Sequence, residues 1–217
     1  MKYNLYYSPG TASMCVHWML IELGVPFDAH LIDIEAGAQR SPEYLRLNPD
    51  GRVPTLVVDG KPYGESAALL MLLAELHPEA SLAPTVGSAH RAIWMQNMIF
   101  CANTILPAMR DWFYADTDGD GTNPDVVRNL ARHRIEAAWD KLDAMLADGR
   151  EFLIGDKTAS QLSTVDFFAV MLTRWSRNMP RPATTWPHIH RYVVSMRNRD
   201  SFKTLNSREG LTGWDIE

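Results

Sequence analysis

The chain has 217 residues, of which 46% are hydrophobic, 10% aromatic and 22% charged, and its formal net charge is -5. This composition is typical of a globular protein that buries a sizeable core without staples. Because the net charge is negative and the basic residues are scattered, we expect neither a nucleic acid nor a membrane surface as a partner.

The cysteines indicate the redox compartment. Cys15 and Cys101 both lie in apolar stretches, where a buried, reduced thiol is expected, and two cysteines make no disulfide framework. The first ten residues lack the apolar segment of a signal peptide, and no stretch of about 18 apolar residues is long enough to span a bilayer. We therefore expect a cytoplasmic protein.

Short strands and helices alternate at the start of the chain. Alternating and apolar patterns predict strands over residues 2–7 and 26–34. Between them, the apolar segment 14–23 predicts a helix, which ends at Gly24. This order is typical of a strand-helix-strand unit.

A hairpin and two further helices are predicted next. Residues 41–49 predict a brief helical turn that begins with a Ser-Pro pair and is closed by Pro49. In the segment 53–66, the dipeptide Asp59-Gly60 separates two short strands, which is a strong hairpin signal. A helix is predicted over 65–76. The strands are apolar enough to predict a small mixed sheet that is covered on both faces.

The pattern changes at residues 77–88, which are rich in Pro, Ser and Ala. Long helices are predicted over 89–116, where Pro107 should bend or break the helix, and over 124–149. The second long helix carries one apolar stripe, composed of Val127, Leu130, Ile135, Ala138, Leu142 and Met145.

The remaining segments are also helical. Ser163 and Asp166 predict a capping box at the start of an almost fully apolar, hence central, helix. Shorter surface helices are predicted over 186–198 and 200–206. The sequence thus predicts two domains, α/β over residues 1–80 and all-helical over residues 88–217.

Four motifs in this order resemble the glutathione S-transferase family over essentially the whole chain. They are "YYSPGTAS" at 6–13, "NPDGRVPTL" at 48–56, "ESAALLMLLAEL" at 65–76 and "STVDFF" at 163–168. The resemblance implies a thioredoxin-like N-terminal domain followed by a helical bundle, a homodimer, and one glutathione per subunit. It also implies that a glutathione thiolate conjugates or reduces small hydrophobic electrophiles or peroxides, with glutathione as co-substrate and no metal.

The resemblance assigns the backbone contacts of glutathione to the segment "GRVP". In similar proteins the proline at the position of Pro54 is cis, which turns the Val53 backbone outward to pair with the cysteinyl part of glutathione like an added strand. Arg52 would lie near the glycyl carboxylate, helped by Gln39 or Arg40 in the preceding loop. The alternatives are an ordinary strand-entry proline and solvated surface arginines.

The ends of glutathione match the start of the predicted helix 65–76. Glu65 would bind the γ-glutamyl ammonium, while the Ser66 hydroxyl and the helix N–H groups bind the adjacent carboxylate. The alternative is a good helix start with an acid in its first turn.

The resemblance also implies that the nucleophile is the thiol of glutathione. In bacterial transferases of the beta class a cysteine occupies the position of Ala12, and its absence here disfavours mixed-disulfide chemistry. Ser13 is the first candidate to stabilise the thiolate and Thr11 the second; Tyr7 matches the tyrosine of other classes only loosely. Plain capping of the helix start is compatible with either role, and Cys15 is expected to pack.

The electrophile pocket is expected near this turn and around the segment "MRDWFYAD". Met14, Trp112 and Tyr114 are its candidate lining residues, although an aromatic cluster is more often core packing. The segment "DTDGDG" at 116–121 imitates the start of a calcium loop, but Val127 occupies the position that requires a glutamate. A solvated loop is the expected structure there.

Three functions are consistent with these residues. The leading hypothesis is a glutathione transferase. A glutathione-dependent disulfide reductase is the second, against which Ala12 counts. The third is a transferase-fold binding protein without catalysis, against which Pro54, Glu65 and Ser66 count.

Overall fold

Two units make up residues 1–214, the part of the chain that the computed structural model describes. The first unit combines Met1–Ala83 with Asn198–Gly213, and the second combines Pro84–Arg197 with Trp214. The sequence predicted a helical domain over residues 88–217, whereas the segment Asn198–Gly213 lies in the first unit of the structure. The segment lies in the first unit because its buried side chains bond to the first helix, as described below.

A four-stranded sheet forms the centre of the first unit. The strands are β1 (Tyr3–Tyr7), β2 (Phe27–Leu31), β3 (Thr55–Val58) and β4 (Lys61–Tyr63), in the order β2-β1-β3-β4. β2 runs parallel to β1, whereas β3 is antiparallel to both β1 and β4, with Leu5 opposite Leu56. This confirms a mixed sheet.

The sheet is less covered than the sequence predicted. Leu5 and Leu56 on the two central strands are fully buried, but the edge strand β2 is exposed along most of its length. The predicted hairpin is present at Asp59-Gly60, where both residues have positive φ, 47° and 85°, as a two-residue turn between twisted strands requires.

Four helices belong to the first unit. They are α1 (Met14–Leu23), α2 (Pro42–Leu45), α3 (Ser66–Leu76) and, from the end of the chain, α9 (Asp200–Glu209). α1 ends as predicted at Gly24, whose φ of 64° is the left-handed conformation that glycine adopts without strain. The Ser41 side chain caps α2 by accepting the Tyr44 N–H.

The described part of the second unit consists of helices and connecting loops, with one isolated antiparallel bridge between Ile154 and Gln161. Its helices are α4 (Arg91–Phe100), α5 (Leu106–Phe113), α6 (Pro124–Leu146), α7 (Thr164–Trp175) and α8 (Pro187–Arg197). The chain does not break at Pro107. A π-helical turn over Cys101–Ile105 joins α4 to α5 and places Pro107 in the first turn of α5, where its missing N–H is tolerated.

The apolar stripe of α6 is buried only in part. Ile135, Ala138 and Leu142 are buried as predicted, but Leu130 is 63% exposed. The first turns of α6 therefore present an apolar side chain to solvent within this unit. No helix within residues 1–214 is both long and apolar enough to cross a bilayer.

The capping box at the start of α7 is confirmed. The fully buried Asp166 carboxylate accepts hydrogen bonds from the Ser163 N–H at 2.8 Å, the Leu153 N–H at 2.9 Å and the Tyr192 hydroxyl at 2.9 Å. Burial raises the pKa of this carboxyl to about 6, against the opposite effect of these bonds. One side chain thus joins α7, α8 and the loop before α7.

Candidate functional site

The turn between β1 and α1 holds the two candidate hydroxyls. Ser13 is fully buried, and its Oγ accepts the Ser8 N–H at 3.1 Å and lies 3.0 Å from the Ser8 carbonyl oxygen. It makes no side-chain bond that caps α1. The Ser13 hydroxyl therefore closes the turn from inside and does not face solvent.

Thr11 is the partly exposed hydroxyl of this turn. Its Oγ1 lies 2.7 Å from the Ser8 carbonyl oxygen and 2.9 Å from the Ser13 Oγ. Each hydroxyl has only one proton. If Ser13 donates to the Ser8 carbonyl, the Thr11 proton is released for a ligand without leaving that carbonyl unpaired.

The start of α3 is bonded to this turn. The Ser66 hydroxyl, which is buried, donates to the Ala12 carbonyl at 2.8 Å. Glu65 precedes it at the N-cap with a φ of 66° and a ψ of 107°, a conformation that non-glycine residues rarely adopt. Glu65 is exposed, and its carboxylate has no partner among residues 1–214. Strained backbone of this kind is characteristic of binding sites.

Replacing Glu65 by glycine is expected to stabilise the chain while removing the carboxylate. Positive φ costs a glutamate about 1 to 3 kcal/mol, and a glycine at this position avoids that cost. Because glycine loses more conformational entropy on folding, about 0.5 to 1 kcal/mol of this stabilisation is offset. We expect Glu65→Gly to unfold at a higher urea concentration than Glu65→Ala, which loses the same carboxylate but keeps the strain. Equal unfolding midpoints would show that the backbone is unstrained.

The loop before β3 carries the remaining predicted binding residues. The Val53–Pro54 peptide bond is cis, as the resemblance implied, and Val53 is half-buried. The Arg52 side chain is exposed. Arg40 donates to the Asp50 carbonyl at 3.3 Å, so its guanidinium lies against this loop.

The preceding loop is packed closely against this one. Gly51 has a φ of 58°, and a Cβ there would lie 2.9 Å from the Gln39 carbonyl oxygen, so a larger residue would require the backbone to shift. Gln39 donates to the Ile34 carbonyl at 3.3 Å, and its Oε1 is buried without a partner among residues 1–214. Arg40 thus supports the loop that leads to Val53, whereas the Gln39 side chain bonds to the Ile34 carbonyl instead.

The predicted electrophile-pocket residues differ in exposure. Met14 is fully buried in the first unit. In the second unit Trp112 is half-buried and Tyr114 is 44% exposed, with the guanidinium carbon of Arg110 4.7 Å from the Tyr114 ring centroid. Arg110 also pairs with Asp118. Tyr114 is therefore the most accessible of the three.

The cysteines offer no thiolate. Cys15 and Cys101 are both buried and unpaired in a disulfide. Burial raises the pKa of both thiols, that of Cys101 to about 12, so neither ionises near neutral pH. Within residues 1–214, no group of three or more His, Cys, Asp or Glu side chains is arranged to hold a metal ion.

Residues of α9 support the turn, although no motif in the sequence indicated them. The buried Glu209 carboxylate accepts the Gly10 N–H at 2.8 Å and lies 2.7 Å from Nδ1 of the buried His17. Trp18 on α1 donates to the Ser201 hydroxyl at 2.9 Å. No local pattern signals a contact across such a separation in sequence. α9 thus holds both α1 and the glycine of the turn.

Comparison with known proteins now identifies the family. Residues 12–76 match the glutathione S-transferase N-terminal domain and residues 125–194 match the glutathione S-transferase C-terminal domain. The chain is 30% identical over 196 residues to glutathione S-transferase 2 of Anopheles gambiae, which covers 89% of each sequence.

Two solved structures support the same assignment. A bacterial beta class glutathione S-transferase from Sphingomonas chungbukensis has 27% identity and a TM-score of 0.82, over 96% of this chain and 100% of that chain. A sphingomonad glutathione S-transferase complexed with glutathione has 25% identity and a TM-score of 0.82 with the same coverage, 96% and 100%. With a thioredoxin-like sheet, a helical second unit and both domain models matched, the chain belongs to the glutathione S-transferase family and is a glutathione S-transferase.

Proposed function

We propose that the first unit binds glutathione and lowers the pKa of its thiol, so that the thiolate attacks a small hydrophobic electrophile or reduces a peroxide. The observation that carries this proposal is the 2.8 Å bond between the Ser66 hydroxyl and the Ala12 carbonyl. It joins the helix start that suits the γ-glutamyl end to the turn that suits the thiol. A single small peptide is long enough to occupy both.

The γ-glutamyl end of glutathione carries an ammonium and a carboxylate on one carbon. The unpaired, exposed carboxylate of Glu65 suits the ammonium. The N-terminus of α3 suits the carboxylate, because its first N–H groups point out of the helix. The Val53 backbone would pair with the cysteinyl residue, and Arg52, with Gln39 and Arg40 behind it, would face the glycyl carboxylate.

The thiol requires only modest stabilisation. A cysteine-like thiol has a pKa of about 8.5, and lowering it by about two units corresponds to about 2.7 kcal/mol. A hydrogen bond to a charged group contributes about 1.5 to 3 kcal/mol and a helix N-terminus about 0.3 to 1 kcal/mol. One hydroxyl at the N-terminus of α1 therefore suffices.

Thr11 is favoured over Ser13 as the donor to the thiolate. Thr11 is partly exposed, whereas Ser13 is fully buried with its hydroxyl bonded inside the turn. In this arrangement Ser13 takes over the Ser8 carbonyl and frees the Thr11 proton. Thr11 is therefore the first candidate and Ser13 the second, which reverses the order of preference that the sequence suggested.

The accessible Tyr114, together with Trp112, suits an apolar or aromatic electrophile, while the buried Met14 would act only as packing beneath the turn.

A homodimer is supported by exposed apolar side chains on α4. Met95 is 42% exposed and Ile99, one helical turn further along, is 56% exposed, and apolar side chains exposed on one face are typical of an interface.

The location of the protein is proposed from its cysteines. Both thiols are buried and free, which suits the reducing cytoplasm.

The ultraviolet absorbance of bound glutathione thiolate, titrated by pH, tests the proposal. We expect a bound-thiol pKa about two units below the free value in the wild type, and a return of about one to two units in Thr11→Val, since that change removes the hydroxyl. Thr11→Ser is the matched control and should keep the low pKa. An unchanged pKa in Thr11→Val would assign the role to Ser13 or the backbone.

The alternatives give different results in the same assay. A disulfide reductase would turn over a glutathione mixed disulfide without an external electrophile; Ala12 and the buried Cys15 disfavour this because neither supplies a thiolate. A binding protein without catalysis would fail to lower the thiol pKa. If the wild type binds no glutathione, the transferase chemistry proposed here is wrong.

A further inference from the structure

Two polar side chains bond to the carbonyl oxygen of Arg52, directly before Val53, and a third side chain bonds to both of them. The Tyr44 hydroxyl lies 2.7 Å from this oxygen and Nδ2 of Asn48 lies 2.8 Å from it. The Thr55 hydroxyl lies 2.8 Å from the Tyr44 hydroxyl and 3.0 Å from Nδ2 of Asn48. We call these three side chains the Arg52 carbonyl clamp.

The protons of the clamp can be assigned completely. Asn48 has two amide protons, one for the Arg52 oxygen and one for the Thr55 hydroxyl, and its Oδ1 accepts the Asp50 N–H at 3.1 Å, which fixes the amide orientation. Tyr44 donates to the Arg52 oxygen, and Thr55 donates to Tyr44. Every donor is used once and both lone pairs of the carbonyl are occupied.

Two of the three clamp side chains are buried. Tyr44 is 3% exposed and Thr55 is 1% exposed, so water has little access to the bond between their hydroxyls, whereas Asn48 is half-buried. A fully satisfied network has one low-energy arrangement, since any rotation leaves a polar group unpaired. The Arg52 carbonyl is therefore held in one direction, toward the interior of the first unit.

This direction determines that of the Val53 N–H. The Arg52 carbonyl and the Val53 N–H belong to one planar trans peptide group, in which the two bonds point in opposite directions. The Val53 N–H has no backbone acceptor among residues 1–214. We propose that Tyr44 and Asn48 are positioning residues that aim the Val53 N–H at the cysteinyl carbonyl of glutathione.

This inference rests on the proposed function, and its test separates the two. Titration calorimetry would compare glutathione with an analogue whose cysteinyl-glycine amide is replaced by a trans-alkene, which lacks the carbonyl. We expect Tyr44→Phe to weaken glutathione binding about tenfold, the effect of about one hydrogen bond, but to weaken analogue binding less than about twofold.

Tyr6→Phe is the matched control. The Tyr6 ring packs 5.9 Å from the Tyr44 ring, and its hydroxyl has no hydrogen bond to residues 1–214, so both affinities should stay within about twofold of the wild type. Asn48→Asp, which replaces the donor by an acceptor, should reproduce the discrimination of Tyr44→Phe if that variant folds poorly.

Equal losses for glutathione and its alkene analogue would show that the clamp acts only on the stability of the fold, and the proposal would be overturned. Unchanged affinity for glutathione in both clamp variants would overturn it as well. Failure of the wild type to bind glutathione is a separate result, visible before any variant is made, and it removes the proposed function together with this inference.

Discussion

Replacing Asp166 by alanine is expected to destabilise the second unit by about 3 to 5 kcal/mol. The change leaves the N–H groups of Ser163 and Leu153 without their acceptor, and it leaves the Tyr192 hydroxyl only the backbone carbonyl of residue 166, 3.4 Å away. Each buried donor left unpaired costs about 1 to 3 kcal/mol, part of which water entering the vacated space offsets. Because domains are stable by only about 5 to 15 kcal/mol, this is a large fraction. Urea unfolding followed by tryptophan fluorescence measures it.

Ser163→Ala is the matched control. It removes the hydroxyl that lies 3.2 Å from the Asp166 carboxylate but keeps the backbone bonds, so we expect a loss of about 1 kcal/mol, typical of a helix cap. A loss in Asp166→Ala no larger than in Ser163→Ala would contradict the view that Asp166 holds three segments together.

The same carboxylate predicts a pH dependence. Burial raises its pKa from 3.8 to about 6, so the folded chain binds a proton that the unfolded chain releases between these pH values. The stabilisation from this proton is fully present below pH 3.8 and is lost as the pH rises through about 6. The free-energy difference between wild type and Asp166→Asn should therefore fall over this interval and stay level above it. A difference that rises with pH would contradict the assignment.

Local patterns account for the parts of the fold that the sequence predicted. The hairpin at Asp59-Gly60 follows from residues that accept positive φ, and the capping box follows from Ser163 and Asp166 three positions apart. These elements depend on neighbours in the sequence. The exposure of side chains on α6 depends instead on which other segments pack against the helix. Leu130 was predicted to lie in the buried stripe but is exposed, because helical spacing shows which residues share a stripe and not how far packing extends along it.

The geometry of the candidate site could be predicted only in part, for a related reason. Glycine, proline and acid-hydroxyl motifs indicated which turns carry the candidate residues. They did not indicate that Ser13 lies beneath Thr11, because two hydroxyls two positions apart give the same sequence signal whichever one is buried. Nor did they indicate Tyr44 or Asn48, whose role depends on a carbonyl oxygen, an atom that every residue has.

The contact between α9 and the turn is the clearest case of a long-range determinant. Glu209 accepts the Gly10 N–H and bonds to His17 although these residues lie at opposite ends of the chain. Both side chains of the Glu209–His17 pair are almost completely buried, 0% and 1% exposed. A buried polar group of this kind stabilises only when its partners are present, so its removal should affect fold and site together.

We expect Glu209→Leu to destabilise the first unit by about 2 to 4 kcal/mol, because the Gly10 N–H and Nδ1 of His17 both lose a buried partner. We also expect kcat/KM for conjugation to fall about 100-fold, since a displacement of about 1 Å in the turn that carries Thr11 costs that much in rate. Urea unfolding and steady-state kinetics at saturating glutathione measure the two effects.

Glu209→Gln distinguishes the loss of bonds from the loss of charge. A glutamine can accept the Gly10 N–H and donate to Nδ1 of His17, provided that the imidazole proton moves to Nε2. That nitrogen is buried and has no partner within residues 1–214, so the change of tautomer breaks no existing bond. We therefore expect Glu209→Gln to cost about 1 kcal/mol and to keep most of the activity. If Glu209→Gln were as damaging as Glu209→Leu, the negative charge itself, rather than the two hydrogen bonds, would be what holds α9 against the turn.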